Sequence, residues 1–259
     1  MKSDRASKRR VEERMFTAAM KDRFDDDGFL VVERLFDDAE LVGVRQRIDA
    51  LIADPDSRPE GVGFGREGDT KVETKGTGDI RGASFLVRFD PFFQDFARTP
   101  KLLECARGLL GPRVKVFRDQ ALFKPPHGQA KPLHQDQSYF LVQPADDLAT
   151  AWIALDEATL ENGCMTYVPG SHKNGVFPIA HDPERPVHHI PDTGDLDLPE
   201  AVHCPVPAGS VIFHHGCTLH ASADNNTDTW RKALIMHFAT SDAVSERAEL
   251  NEQVSLEID

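Results

Sequence analysis

The sequence predicts an α+β fold that is mainly β, with a helical N-terminal third packed against one sheet of a C-terminal antiparallel double sheet. Three observations lead there. Before Gly111 the apolar residues recur at helical spacing. After Gly111 short alternating or apolar runs follow one another. Turn signals such as Pro-Pro, Asn-Gly, Pro-Gly and Ala-Gly separate those runs, a pattern that suits a sandwich or barrel.

Taken in order, "VEERMFTAAMKDRFDDDGFLVV" places Val11, Met15, Ala18, Ala19 and Phe24 near helical spacing and stops at Gly28. "FLVVERLF" is a short strand. "DDAELVGVRQRIDALIAD" opens with Asp37-Asp38 as cap candidates and sets Leu41, Val44, Ile48 and Leu51 on one stripe, a second helix. "DPFFQDFARTPKLLECARGLLG" reads as one or two helices broken near Pro100 and closed by Gly111. Between the helices, Gly61, Gly63, Gly65, Gly68, Gly76, Gly78 and Gly82 make residues 58–82 too permissive for a helix. Such a loop is either a functional lid or disordered. The later runs "VKVFRDQALFK", "LATAWIALD", "CMTYVPG", "HCPVPAGSVIFHH" and "RKALIMHFAT" are the strands. "CTLHAS" is read as continuing the strand of "GSVIFHHG", with "RKALIMHF" returning beside it so that His220 lies level with Arg231. Asn162-Gly163 suits a type I′ hairpin turn, and Pro169-Gly170-Ser171-His172 is a turn.

Composition narrows the function. A 259-residue chain with 40% hydrophobic residues can bury a real core. Its net charge of −13 opposes phosphate backbones and anionic membranes as main partners. Cys105, Cys164, Cys204 and Cys217 form no C-x-x-C pair and read as reduced thiols of a cytoplasmic protein. "MKSDRASKRRVEERMF" lacks the apolar region of a signal peptide, and Lys8-Arg9-Arg10 reads as a solvated tail or helix end. No apolar run is long enough for a membrane span.

The chemistry concentrates in "PLHQDQSYF". His134 and Asp136 are separated by one residue, and in a strand positions i and i+2 share a side. Alone, H-x-D is short enough to recur by chance. "FHHGCTLHASADNNTDTWRKALIMHF" adds His214, His215, His220 and His237. Two histidines and a carboxylate are the facial triad of non-heme Fe(II) oxygenases, which leaves three metal positions open for a bidentate keto-acid and O2. A guanidinium a strand away can then clamp the far carboxylate of the keto-acid. His134, Asp136, His220 and Arg231 provide these parts. His214 and His215 are open alternatives to His220. His237 reads as a packed or hydrogen-bonded group on the last strand.

On "LFKPP", "PLHQDQSYF", "AWIALDEATLENGCMTYVPGSHKNG" and "FHHGCTLHASADNNTDTWRKALIMHFAT", the chain resembles the phytanoyl-CoA dioxygenase family of Fe(II)- and 2-oxoglutarate-dependent oxygenases. The resemblance runs roughly from Gly111 to Thr240. It implies a double-stranded β-helix, a jelly-roll (cupin-like) core. The chain then divides into helical support with the Gly-rich loop (1–110), the core (111–240) and a C-terminal tail (241–259), all in one domain. It implies His134, Asp136 and His220 as iron ligands and Arg231 as the partner of the 2-oxoglutarate C5 carboxylate, with Ser222 a second partner. Trp152 would border the cosubstrate, with plain core as its other reading. Gln135 would join the lining, being between two ligands. Gln120 and Lys124, on one side of a strand by period two, would line the pocket or else face solvent on an edge. Arg81 is the counterpart of an upstream basic group.

The resemblance implies that Fe(II), 2-oxoglutarate and O2 act together. The keto-acid would be oxidatively decarboxylated to succinate and CO2, and a C–H bond of a small molecule hydroxylated. Asp136 argues against halogenation, which needs that position open for chloride; desaturation or ring chemistry could use the same ligands. A metal-binding jelly roll without turnover and a cupin-type zinc hydrolase are the rivals. Loss of Arg231 or Asp136 would have supported the first, and both are present; the second gives Arg231 no special role. Substrate choice is assigned to the Gly-rich loop and to "KNGVFPIAHDPERPVHHIPDTGDLDLPEAVH", a long insertion over the pocket mouth. Its His181, His188, His189 and His203 are candidates for touching substrate, with solvated loop histidines as the preferred reading.

Overall fold

The computed structural model describes residues 15–66, 80–180 and 188–258. The basic cluster Lys8-Arg9-Arg10, the middle of the Gly-rich stretch and His181 lie outside the described residues.

The N-terminal elements are α1 (Ala18–Asp27), β1 (Phe29–Val32), α2 (Asp38–Ala53), β2 (Gly63–Arg66), β3 (Ile80–Ser84), α3 (Leu86–Phe89), α4 (Pro91–Ala97) and α5 (Pro100–Leu110). The remainder is β4 (Val114–Lys124), β5 (Lys131–His134), α6 (Gln137–Phe140), β6 (Val142–Gln143), β7 (Leu148–Ala154), β8 (Met165–Tyr167), β9 (Val202–Cys204), β10 (Val211–His215), β11 (His220–Ser222), β12 (Arg231–Thr240), β13 (Val244–Ser245), α7 (Ala248–Asn251) and β14 (Leu256–Glu257).

Local chemistry sets the helix ends. Gly28 adopts φ 80° and its N–H closes α1 onto Phe24 O, the left-handed cap that glycine reaches without strain. Asp37 opens α2 with a capping box. Its carboxylate accepts from Glu40 N at 2.9 Å, while the Glu40 carboxylate accepts from Asp37 N at 2.8 Å. Pro91 and Pro100 sit in the first turns of α4 and α5, where no backbone N–H is needed.

Two antiparallel sheets form the core. The larger has the order β1-β10-β7-β12-β4-β3-β2, with β14 also on β4; the smaller runs β5-β11-β8-β9. Alternation sorts the larger sheet's side chains by face. Ala151, Ile153, Val211, Phe213, Leu234 and Met236 join one cluster with Leu41, Val44 and Ile48 of α2 and with Phe93 and Leu102. Trp152, Ile212, Ala233 and Ile235 join a second with Met165 and Tyr167 of the smaller sheet. Helices therefore cover one face, and the smaller sheet covers the other. This is a jelly-roll core. Each fully buried Leu, Ile or Phe contributes roughly 1.5–3 kcal/mol to holding the layers together.

Four expectations need correction. "GSVIFHHGCTLHAS" is not one strand. The chain turns at Gly216, whose N–H bonds Leu148 O at 2.8 Å, and crosses from β10 in the larger sheet to β11 in the smaller. His220 and Arg231 are therefore on different sheets, because β12 pairs with β4 and β7. The ends of the Gly-rich stretch are strands: β2 and β3 pair, and β3 extends the sheet beyond β4. Nor is the C-terminal segment a loose tail, since Leu256 pairs with Val116 and Ser255 Oγ donates to Asp119 Oδ1 at 2.6 Å. Asn162-Gly163 makes no type I′ turn, which needs positive φ at both residues. Only Gly163 has it, at 78°. The Asn162 amide instead spans its own loop, bonding Thr159 N and Glu157 O at 2.8 Å each.

Candidate active site

The inner face of the larger sheet and the facing strands of the smaller enclose a cavity of about 280 Å³. Gln120, Leu122, Thr150, Trp152, His214, Arg231, Ile235 and His237 line it from the first, and His134, Met165, His220 and Ser222 from the second. Lys131, Asp136, Tyr139 and Phe140 complete the wall.

His134, Asp136 and His220 are buried together, each offering one ligand atom within 4.8 Å of the others'. His134 and His220 face each other across the β5–β11 pair, with ring centroids 4.1 Å apart. The two-residue alternation does not deliver Asp136, because β5 ends at His134. Asp136 takes a helical backbone (φ −62°, ψ −38°) and its carbonyl accepts from Tyr139 N at 3.0 Å. A one-turn helix thus swings the carboxylate toward His220, whose Nε2 is 3.7 Å from Asp136 Oδ1.

Both imidazoles are held by their far nitrogens. His134 Nδ1 is 2.8 Å from Pro132 O, and His220 Nδ1 is 2.9 Å from Thr218 O. A carbonyl can only accept, so each Nδ1 carries the proton and each Nε2 presents its lone pair to the cavity. Burial also disfavours protonation. It pushes the His220 ring down to about 4, with His214 adding to the effect. Burial, then His220 and Lys131, hold His134 well below the ordinary imidazole value.

Asp136 is fixed through its second oxygen. Oδ2 receives the Thr150 hydroxyl at 2.6 Å and His214 Nε2 at 3.0 Å. His237 Nδ1 backs Thr150 at 2.8 Å and lies 3.4 Å from the same oxygen. Burial alone would raise the carboxyl. The neighbouring His237 and His220 and the hydrogen bonds from His214 and His237 outweigh it, and hold Asp136 well below the usual carboxylate range.

Arg231 is buried, and burial lowers its guanidinium to about 10. Its Nε finds no hydrogen-bond partner, and none of the described carboxylates forms an ion pair with it. Its guanidinium lies 5.3 Å from the centre of the Trp152 ring. Lys124, opposite Arg231 in the β4–β12 register, donates to Ser222 Oγ at 2.9 Å and to the carbonyl of Ala223. Lys124 supports the pocket from behind Ser222 and is not part of its lining. Arg81, on β3, stands beside Gly128 and outside the lining.

Gln135 is the clear miss. Being between two inward groups sends its side chain the other way. There its amide donates to Gly175 O at 2.8 Å and Cys217 O at 2.5 Å and accepts from Phe177 N at 2.8 Å. His215 also faces outward, 3.3 Å from Asp146 and beside His172. Thr150 and Tyr139 escaped the sequence reading. Thr150 was legible by alternation, two residues before Trp152 on one strand. Tyr139 depends on the one-turn helix and carried no signal. His188 and His189 are half-buried against the site, not solvated, whereas His203 lies on β9 beside Thr166.

A jelly roll whose cavity brings two histidines and one carboxylate together as a donor set, beside a buried arginine without a counter-charge, defines the class of non-heme iron, keto-acid-dependent oxygenases. The family model for phytanoyl-CoA dioxygenase (PhyH) matches residues 24–233, and the chain belongs to that family of Fe(II)/2-oxoglutarate-dependent oxygenases. The peroxisomal phytanoyl-CoA dioxygenase of Homo sapiens is 26% identical over 90% of this chain and 71% of its own length. The phytanoyl-CoA dioxygenase domain-containing protein 1 of Mus musculus is 29% identical over 83% of this chain and 87% of its own. The crystal structure of SnoN, a non-heme alpha ketoglutarate dependent epimerase from nogalamycin biosynthesis, superposes with a TM-score of 0.70 at 23% identity, covering 90% of this chain and 87% of that one. At that identity the likeness shows the fold. No helix among the described residues is long and apolar enough to cross a membrane, and all four cysteines are buried and free.

Proposed function

We propose that this protein hydroxylates an unactivated C–H bond of a small-molecule substrate, with Fe(II) held by His134, Asp136 and His220 and 2-oxoglutarate anchored at Arg231. One observation carries the reading: a buried cation without a counter-charge shares a cavity with a buried His/Asp/His donor set. An unpaired guanidinium is costly to bury, and a keto-acid carboxylate is the partner its planar fork fits. The donor set suits iron, since two imidazoles and one carboxylate leave open positions for a chelating cosubstrate. Fe(II) bound there would supply, with 2-oxoglutarate and O2, the oxidising power whose by-products are succinate and CO2.

The protein's own part is placement. His134 and His220 hold Nε2 toward the metal through their Nδ1–H bonds. Asp136 offers Oδ1, because Thr150 and His214 occupy Oδ2. Arg231 and Ser222 would bind the C5 carboxylate, with Trp152 and Gln120 lining the same cavity. Leu122, Met165 and Ile235 keep the reacting centre dry, and exclusion of water guards against side reactions. A complete carboxylate ligand supports hydroxylation over halogenation.

The test is succinate formation from 2-oxoglutarate under air by Fe(II)-loaded protein, with a screen for small molecules that stimulate it. Hydroxylation adds one oxygen atom to the product. A product of unchanged mass would point to an epimerase, and one two hydrogens lighter to desaturation or ring closure. No succinate with or without any candidate would sink the oxygenase reading.

A further inference from the structure

Lys131 and Tyr139 line the same cavity and have no part in the metal or cosubstrate roles proposed above. Lys131 Nζ lies 3.3 Å from the Tyr139 hydroxyl, 3.4 Å from His188 Nδ1, and 5.1 Å from the centre of the Tyr139 ring. Among the described residues it makes no ion pair, in a chain that carries 43 acidic residues. Tyr139 has a complementary deficit. Its oxygen takes the Lys131 ammonium and His189 N at 3.0 Å, both donors. A phenol also has a proton to give, and no described residue accepts it. Tyr139 stays in place because the His189 ring stacks on it at 4.1 Å and 6° and because His189 Nδ1 is tied to Ser138 O at 2.8 Å. The Tyr139 ring is 5.9 Å from that of His134. An ammonium without a counter-charge and a hydroxyl proton without an acceptor therefore converge beside the metal ligands. Leu122, Phe140, Met165 and Ile235 supply an apolar wall to the same cavity.

We propose that Lys131 and Tyr139 form an anion-binding subsite for the substrate, which accordingly carries a carboxylate or a comparable oxyanion attached to an apolar portion presented to the metal. This inference rests on the oxygenase reading and names its substrate class. The cosubstrate is the competing occupant, since Lys131 pairs in register with Ser222. Lys124 already serves Ser222 at 2.9 Å, whereas Lys131 turns to Tyr139 and to the insertion that carries His188 and His189. That insertion would then set specificity by holding Tyr139.

The probes are hexanoate, hexyl phosphate and neutral hexanamide, titrated by calorimetry into full-length protein saturated with Fe(II) and 2-oxoglutarate without oxygen. Hexanoate should bind roughly tenfold to a hundredfold more tightly than hexanamide, the effect of a hydrogen bond to a charged group. The preference should fall to about one in Lys131→Met, persist in Lys131→Arg and shrink severalfold in Tyr139→Phe. The ranking of hexanoate and hexyl phosphate identifies the oxyanion. Equal binding of acid and amide by the wild type, or no binding of either anion, overturns the subsite. So does an unchanged preference in Lys131→Met. Loss of 2-oxoglutarate affinity in that variant, with the preference intact, would assign Lys131 to the cosubstrate. Succinate formation by the wild type under air is scored separately: its absence beside a clear hexanoate preference would remove the oxygenase reading and leave the subsite standing.

Discussion

His214 Nε2 stands 3.0 Å from Asp136 Oδ2, and the same oxygen receives the Thr150 hydroxyl at 2.6 Å. Both donors come from the larger sheet, so that sheet orients a carboxylate whose companion histidines sit on the smaller one. Replacing either donor frees Asp136 to rotate. His214→Phe and Thr150→Val should each weaken Fe(II) binding about tenfold to a hundredfold, the range for groups that support metal ligands. His215→Ala should leave it unchanged, because His215 faces Asp146 on the other side of β10. Anaerobic Fe(II) titration checks all three, and loss of iron in His215→Ala alone would reverse the assignment.

Arg231 gives a prediction with two opposite signs. Arg231→Leu should raise the 2-oxoglutarate KM by about thirty- to several-thousand-fold, equivalent to roughly 2–5 kcal/mol for a buried charge pair. It should also stabilise the ligand-free protein by about 1–4 kcal/mol, because an unpaired buried cation gives way to an apolar group. Urea unfolding without ligand and steady-state kinetics measure the two effects. Lower stability in the leucine variant would mean that Arg231 has a structural partner.

Lys124 should make cosubstrate binding depend on pH. Burial first, and Arg231 next, lower its ammonium from 10.5 to about 7. A carboxylate at Arg231 would cancel that repulsion and raise the value again, so binding takes up a proton. Affinity for 2-oxoglutarate should be greatest below pH 7 and fall above it, by at most about tenfold per pH unit. Calorimetry in buffers of differing ionisation heat should record proton uptake near pH 8 in the wild type and none in Lys124→Met.

The same shift bears on stability. Between about 7 and 10.5 the unfolded chain keeps the Lys124 proton while the folded one releases it. Stability contributed by this group therefore rises with pH across that window. The difference in unfolding free energy between wild type and Lys124→Met should move in the wild type's favour from pH 7 to pH 10. A constant difference would place the Lys124 ammonium in water.

Gly163 holds the β8 loop against the chain that leaves β11. Its φ is 78°, and a Cβ there would lie 2.2 Å from Ala223 O. Gly163→Ala combines a left-handed non-glycine residue with a clash against backbone, and should cost at least about 2 kcal/mol. Thermal unfolding against Gly175→Ala, where nothing stands within 4 Å, separates crowding from backbone strain.

How much of this was legible depended on the range of the interaction. Local rules placed the caps at Gly28 and Asp37, the break at Pro100 and the strands β1, β4, β7, β10 and β12 of the larger sheet, since periodicity and capping act over a few residues. Alternation along β12 correctly set Arg231, Ala233, Ile235 and His237 on one face. The same rule, carried past the end of β5, kept Asp136 on a strand, while for Gln135 it pointed away from the lining that the family resemblance had implied.

The sequence by itself determined the helical and β halves, the family and the short set of residues worth testing. Tertiary structure decided which sheet each stands on and which way it faces. It divided "FHHGCTLH" between two sheets, so that His214 meets Asp136, His215 faces away and His220 meets His134. It also brought the Thr150 hydroxyl and the His189 ring to residues 14 and 50 positions away. Those contacts come from closing two sheets over a common cavity, and no rule of spacing along the chain contains that closure.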